Sequence, residues 1–157
     1  MPTKQAQAFS PAGISSFFQI CDTEPDGTPI KDLERIGARG GGFATDKGVF
    51  TEVNASESRK NVVQVFINRR HAPEAETTKT AVNILLDNVG ETYNVKVRHR
   101  VEVPIGAGFG TSGGGALGTA LALSRALNIN LTYNEISRIA HIAEVKCRTG
   151  LGTVGPL

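Results

Sequence analysis

Cysteine is scarce in this chain of 157 residues. Cys21 and Cys147 are the only two, and neither lies in a C-x-x-C pair or in His-rich company, so a disulfide framework and a zinc site are both excluded as organising devices. Both are expected to be free thiols. No segment approaches about 18 consecutive apolar residues, which excludes a membrane-spanning helix, and the first residues carry no apolar core of signal-peptide length, which makes the cytoplasm the expected compartment. Charge of one sign is also lacking: 17 basic and 15 acidic residues leave a formal net charge of +2. Such a balance gives no electrostatic footprint for nucleic acid or for a membrane surface. The one dense basic patch, Lys96, Arg98, His99 and Arg100, lacks aromatic neighbours on which bases would stack and reads as a solvated strand face. Lysine is missing altogether between Val97 and Lys146.

What remains is an ordinary globular composition, 39% hydrophobic and 20% charged. A single domain of this length buries roughly 68–70% of the surface exposed by its unfolded form. Strand and turn signals crowd the first third. Short strands are expected at 6–10, 15–21, 42–46 and 49–53, separated by Pro11, by the turn Pro25-Asp-Gly27 and by the turn Asp46-Lys-Gly48. The run Val62-Val-Gln-Val-Phe-Ile67 reads as a strand buried on both faces and central in a sheet.

A helix is expected over about 73–88, opened by Pro73, with Glu74 and Glu76 complementing its dipole, Ala81, Ile84 and Leu85 on its inner face and Gly90 past its end. From Asn94 strict alternation sets Val95, Val97, Val101 and Val103 against Lys96, Arg98, Arg100 and Glu102, the clearest strand in the chain. Leu117, Ala120, Leu121 and Leu127 recur at helical spacing over 115–127. The capping box Thr132-Tyr-Asn-Glu135 opens a last helix reaching about Lys146. No repeat or linker divides the chain, and the fold class expected is one α+β domain.

Between the alternating strand and the small-residue helix lies Pro104-Ile-Gly-Ala-Gly-Phe-Gly-Thr-Ser-Gly-Gly-Gly-Ala116. Seven of the 18 glycines fall between Gly106 and Gly118. Glycine lets the backbone turn sharply and bring its N–H groups close to an anion at a helix N-terminus, so the stretch reads as a phosphate loop, with the hydroxyls of Thr111 and Ser112 available to phosphate oxygens or magnesium. The absence of lysine shows that it is not a Walker A loop. A dinucleotide fingerprint would require the next element to be a strand ending in an acidic residue, whereas here a helix follows a helix. The remaining rival is a glycine hinge that holds no ligand.

Pro104-Ile-Gly-Ala-Gly-Phe-Gly-Thr-Ser-Gly-Gly resembles the P-x-G-x-G-[LF]-G-[ST]-S-[AG]-[AG] phosphate motif of the GHMP kinases (galactokinase, homoserine, mevalonate and phosphomevalonate kinases). Within that superfamily the chain is similar to the archaeal pantoate kinases, through Phe9-Ser-Pro-Ala-Gly-Ile-Ser-Ser-Phe-Phe18, Gly37-Ala-Arg-Gly-Gly-Gly-Phe43 and Ile139-Ala-His-Ile-Ala-Glu-Val145. The resemblance implies the N-terminal GHMP domain, whose fold is like domain 2 of ribosomal protein S5. It also implies a kinase that uses ATP and magnesium to convert (R)-pantoate to 4-phosphopantoate on the archaeal route to coenzyme A. Homoserine or mevalonate-type acceptors, or a catalytically silent nucleotide-binding module, are the alternatives.

By motif position the nucleotide would be held by Pro104, Gly106, Gly108, Gly110, Thr111, Ser112, Gly113 and Gly114, and magnesium by Ser112 and Glu144. His141 lies three residues before Glu144, on the same helical face, and resembles a substrate contact; the competing reading is a surface or core histidine. Arg39, suited to a bidentate carboxylate contact, and Ser10 and Ser15, flanking the Pro-Ala-Gly turn, complete the implied acceptor side. The chain departs from the family at Thr153, nine residues after Glu144, where many members place an aspartate near the attacking hydroxyl; threonine does not titrate near neutrality. The resemblance further implies a C-terminal GHMP domain that is absent from these 157 residues. Apolar surface left uncovered by its absence predicts a homodimer.

Overall fold

The computed structural model describes residues 3–87, 89–151 and 154. Strands β1 (Lys4–Cys21), β2 (Gly37–Glu57), β3 (Val62–Ile67), β4 (Arg70–His71) and β5 (Tyr93–Val101) form one sheet in the order β1-β2-β5-β3-β4. Helices α1 (Glu76–Leu86), α2 (Thr111–Leu127) and α3 (Tyr133–Cys147) complete the described elements. β5 pairs antiparallel with β2 and parallel with β3, so the chain from β3 through α1 to β5 is a crossover unit inside an otherwise antiparallel sheet. The α+β expectation holds.

The four short strands expected in the first third are two long ones. Pro11 does not end β1, and Asp46-Lys-Gly48 is not a turn: Pro11 pairs with Gly48 and Gly13 with Ala44, so residues 45–47 of β2 bulge opposite Ala12. A second irregularity lies between Ser15 and Phe17. Bulges bend a strand without ending it, which is why turn-forming residues sit inside these ribbons. Pro25-Asp-Gly27 is the turn expected, with Gly27 at φ +84°.

β3 is not the central strand. It lies beside the two-residue edge strand β4, and Val65 is its one fully buried residue, while β5 occupies the middle of the sheet. β5 reads as expected except at His99. Alternation puts that imidazole on the inner face with Val95 and Val97, not on the basic face. On the outer face Arg98 pairs with Glu52 at 2.7 Å, while Arg100 stacks over Phe50 and Lys96 lies over Phe66, so the basic face has aromatic neighbours after all, brought to it by pairing with β2 and β3. Val103 lies beyond the strand's end.

α1 starts at Glu76, not at Pro73, because a turn in which the Ala75 N–H donates to the Ala72 carbonyl precedes it. α2 starts four residues before the expected 115. Its glycines are poor helix formers, but they are packed against the sheet and α3, and tertiary contact outweighs a propensity cost of about 1 kcal/mol each. α3 carries the complete capping box, Thr132 and Glu135 bonding each other's backbone N–H.

Two apolar clusters hold the layers together. Val53, Val65, Val95, Val97 and Tyr93 of the sheet meet Val82, Leu85, Leu86 and Leu123 of the helices. Ala81, Leu117, Ala120, Ile136, Ala140 and Ala143 pack the helices on one another. Full burial of each larger side chain contributes about 1.5–3 kcal/mol. Alanines and glycines draw α2 close to its neighbours, and this closeness sets the site.

Candidate functional site

β5 delivers the chain to the glycine loop, and the loop is fixed at both ends. The Glu102 N–H donates to the Gly48 carbonyl at 2.9 Å, and the Gly13 N–H donates to the Phe109 carbonyl at 3.1 Å. Between these ties Gly106, Gly108 and Gly110 take φ of +77°, +83° and +63°, a left-handed conformation at every second residue that side-chain-bearing residues rarely adopt. Gly110 is the N-cap of α2 and supplies no side-chain cap. The first N–H groups of the helix therefore face outward with the positive end of its dipole, which is what a phosphate group requires.

α3 brings a carboxylate to this helix end. Glu144 is 1% exposed, and a methyl group built on Gly113 would stand 2.8 Å from its Oε2 and 3.1 Å from its Oε1. Only glycine at 113 admits the carboxylate here. The solvated helix face that its place near the end of an amphipathic helix suggests is not what forms. One residue earlier, Ser112 Oγ donates to Thr77 Oγ1 of α1 at 3.0 Å, and Thr77 Oγ1 lies 3.1 Å from Thr149 Oγ1, just after α3. Thr77 and Thr149 carry no motif, and the sequence reading passed over them.

A hydroxyl and a carboxylate on two packed helices suit magnesium, a hard cation that takes oxygen ligands and keeps the rest of its shell for phosphate and water. The described residues hold no group of three or more His, Cys, Asp or Glu side chains able to bind a metal by themselves. The residues present would fit a cation that arrives with a phosphate group, Ser112 and Glu144 being the side chains that would hold it.

Behind α2 lies a second polar arrangement. His99 is buried, its Nδ1 2.9 Å from Thr51 Oγ1 and its Nε2 3.0 Å from Thr78 Oγ1. A neutral imidazole donates from one nitrogen and accepts at the other, so both hydroxyls are served without a charge. Burial pushes its pKa down to about 4. Gly115 rests on the ring, and a methyl on the next glycine, Gly118, would stand 2.6 Å from Thr51 Oγ1. The period-two pattern Val95, Val97, His99 carried the signal for this burial; grouping His99 with its cationic neighbours obscured it.

A cleft of about 1040 Å³ opens beside the loop, lined among others by Gly13, Ser15, Gly108, Gly110, Arg148 and Thr149. Ser15 therefore shares a cavity with the glycine loop. Arg39 does not line it, although Ala38 and Gly40 on either side do, and its side chain is exposed. His141 lies in a neighbouring depression and donates from Nε2 to the Ile36 carbonyl at 2.8 Å. His141 and Glu144 share a helix but have different surroundings, so the structure does not bring them together. Ser10 is buried beside Gly114. Thr153 lies outside the described residues.

The profile of the family described as GHMP kinases N terminal domain matches residues 76–155, a span running from α1 through the glycine loop to beyond α3. The chain belongs to the GHMP kinase family. This GHMP domain is 37% identical to the pantoate kinase of Thermococcus kodakarensis over 153 residues, covering 94% of the chain and 47% of that protein. It is 32% identical to the pantoate kinase of Methanocaldococcus jannaschii over 146 residues, 93% of the chain and 48% of that protein. A solved structure named "Phosphotransferase related to CoA biosynthesis pathway" matches it with a TM-score of 0.79 at 34% identity, over 97% of the chain and 49% of that structure. The chain thus spans about half the length of the relatives it matches.

Proposed function

We propose that this GHMP domain is the ATP-binding half of a kinase that transfers the γ-phosphoryl group of ATP to (R)-pantoate, giving 4-phosphopantoate for coenzyme A synthesis. The observation that carries the reading is the meeting of three features at one helix end: a loop with three left-handed glycines, the Ser112 hydroxyl, and the Glu144 carboxylate seated on Gly113. The pantoate kinases similar to nearly the whole chain support the acceptor.

In this reading the backbone N–H groups from Gly106 to Gly114 bind and orient the phosphate oxygens, with Pro104 starting the loop and the Thr111 hydroxyl adding a donor. Magnesium, held by Ser112 and Glu144 when bound, neutralises phosphate charge that no lysine of the loop can meet. Phosphoryl transfer depends mainly on positioning and electrostatics, which suits a chain with Thr153 where relatives place a carboxylate. Ser15, on the cleft shared with the loop, is the acceptor contact we assign from the N-terminal motif. Arg39, His141 and Ser10 have other surroundings here and are given no acceptor contact.

No described helix is long and apolar enough to cross a membrane. We propose a cytoplasmic protein that forms a homodimer; the exposure of Phe17, Phe18, Ile20 and Phe43 along the β1–β2 ribbon supports the dimer. Sedimentation that finds only the 16.6 kDa monomer at high concentration overturns the dimer.

The deciding experiment measures ATP-dependent phosphorylation of pantoate, homoserine and mevalonate, with magnesium–ATP binding followed by calorimetry in parallel. Turnover with pantoate is expected. Preference for homoserine or mevalonate would reassign the acceptor, and nucleotide binding without any turnover would make the domain a silent binding module.

A further inference from the structure

Ser112 is one of the two residues assigned to the cation, yet a hydroxyl at a helix end can point its proton or its lone pairs toward a ligand. A cation needs the lone pairs, while a phosphate oxygen needs the proton. In this chain the proton already has a destination: Ser112 Oγ donates to Thr77 Oγ1 at 3.0 Å. Thr77 accepts that bond, so its own proton is free for Thr149 Oγ1 at 3.1 Å. Thr77 is 6% exposed and belongs to α1, which contributes no residue to the glycine loop. Thr149 in turn is anchored to α3, its N–H donating to the Glu144 carbonyl at 3.0 Å.

We infer that Thr77 is a positioning residue: it accepts the Ser112 hydrogen bond, donates its own toward Thr149, and so holds the Ser112 lone pairs toward the cation beside Glu144. The inference deepens the kinase reading and rests on it. It assigns to α1 the task of fixing which way a hydroxyl on α2 faces, through a chain of three hydroxyls ending on the segment that follows the Glu144 helix. No proton leaves the chain; each hydroxyl keeps its own and only the direction of donation is set. Partners of this outer kind typically change metal affinity by about 10–100-fold when removed.

The test uses Mn2+ as a spectroscopic stand-in for magnesium and reads its binding by electron paramagnetic resonance in the presence of a non-hydrolysable ATP analogue. Thr77→Val keeps the shape and removes the hydroxyl, and it is expected to weaken Mn2+ binding by about tenfold while metal-free nucleotide affinity changes by less than about twofold. Thr77→Ser restores the hydroxyl and is expected to recover wild-type binding, which a role confined to packing would not produce. Thr149 is exposed, so Thr149→Val tests the far end of the chain even if Thr77→Val fails to fold. With its acceptor gone, Thr77 is able to donate back to Ser112, and a loss of about threefold or more is expected. Wild-type Mn2+ affinity in both valine variants overturns the positioning role and leaves the kinase reading intact. Wild-type protein that binds no Mn2+ with nucleotide overturns the kinase reading itself, and the inference falls with it.

Discussion

Gly113 and Glu144 are in contact across two helices, with the carboxylate of one occupying the space where a side chain on the other would begin. The contact joins the first turn of α2, just after the glycine loop, to α3. Substituting Gly113→Ala adds helix propensity worth about 1 kcal/mol but forces the buried carboxylate to move, an overpacking cost of about 1–3 kcal/mol. The net effect on stability runs from about zero to a loss of about 2 kcal/mol, and magnesium-dependent nucleotide affinity, measured by calorimetry, should fall by about tenfold or more, equivalent to about 1.4 kcal/mol. Unchanged affinity would show that Glu144 does not need its present place to support binding.

Ser112 and Glu144 should behave as one unit. Ser112→Ala is expected to weaken ATP binding by about tenfold with magnesium present and by much less in its absence, and Glu144→Gln should do the same. On the proposal that both hold one cation, the double variant should lose little more than either single one. Losses that simply add would place the two residues at separate ligands.

His99 predicts a pH dependence of folding. Its pKa is about 6.5 in the unfolded chain and about 4 in the folded one, so as pH falls below 6.5 the unfolded state takes up a proton that the buried imidazole refuses. Stability attributable to this group is complete above pH 6.5 and is lost down to about pH 4, by about 3 kcal/mol in total. Glu52, Glu102 and Glu135 have carboxyl pKa values below the ordinary range and act lower in the pH scale, so the histidine is read between pH 6.5 and 5 as the difference between wild type and a variant without it. His99→Gln should flatten the curve across that interval. A slope that persists would assign the dependence to another group.

Arg148 ends α3 in the left-handed conformation at φ +53° and lines the cleft beside the glycine loop. Glycine adopts that conformation without strain and is the residue most favoured there, so Arg148→Gly should stabilise the protein by about 0.5–1 kcal/mol in denaturant titration. A drop in ATP affinity alongside the gain in stability would identify the guanidinium as a binding group. An unchanged affinity would make it a helix cap alone.

Much of the fold is written in local pattern. Alternation across β5, the capping box at Thr132 and the small-residue spacing of α2 each follow from chain geometry over a few residues, and each element is found. The errors arise where long-range pairing overrules a local signal. Pro11 and Asp46-Lys-Gly48 look like strand ends until each ribbon pairs with the other and absorbs them as bulges. Helical spacing marks α2 only from 115, and burial of the glycines against the sheet and α3 carries the helix back to Thr111. β3 looks central because its residues are apolar, yet strand order is a property of pairing and places it next to the edge.

The sequence alone marks a glycine loop without lysine, between a strand and a helix, as the candidate phosphate loop, and Ser112 and Glu144 as the oxygen donors to examine. That follows from residue chemistry and spacing. Only the tertiary structure decided which groups meet: Glu144 on Gly113, Ser112 on Thr77, Ser15 on the cleft, and His99 shut between two threonines. Those residues lie tens of positions apart on different elements, and their meeting depends on how closely the glycine face of α2 lets its neighbours approach.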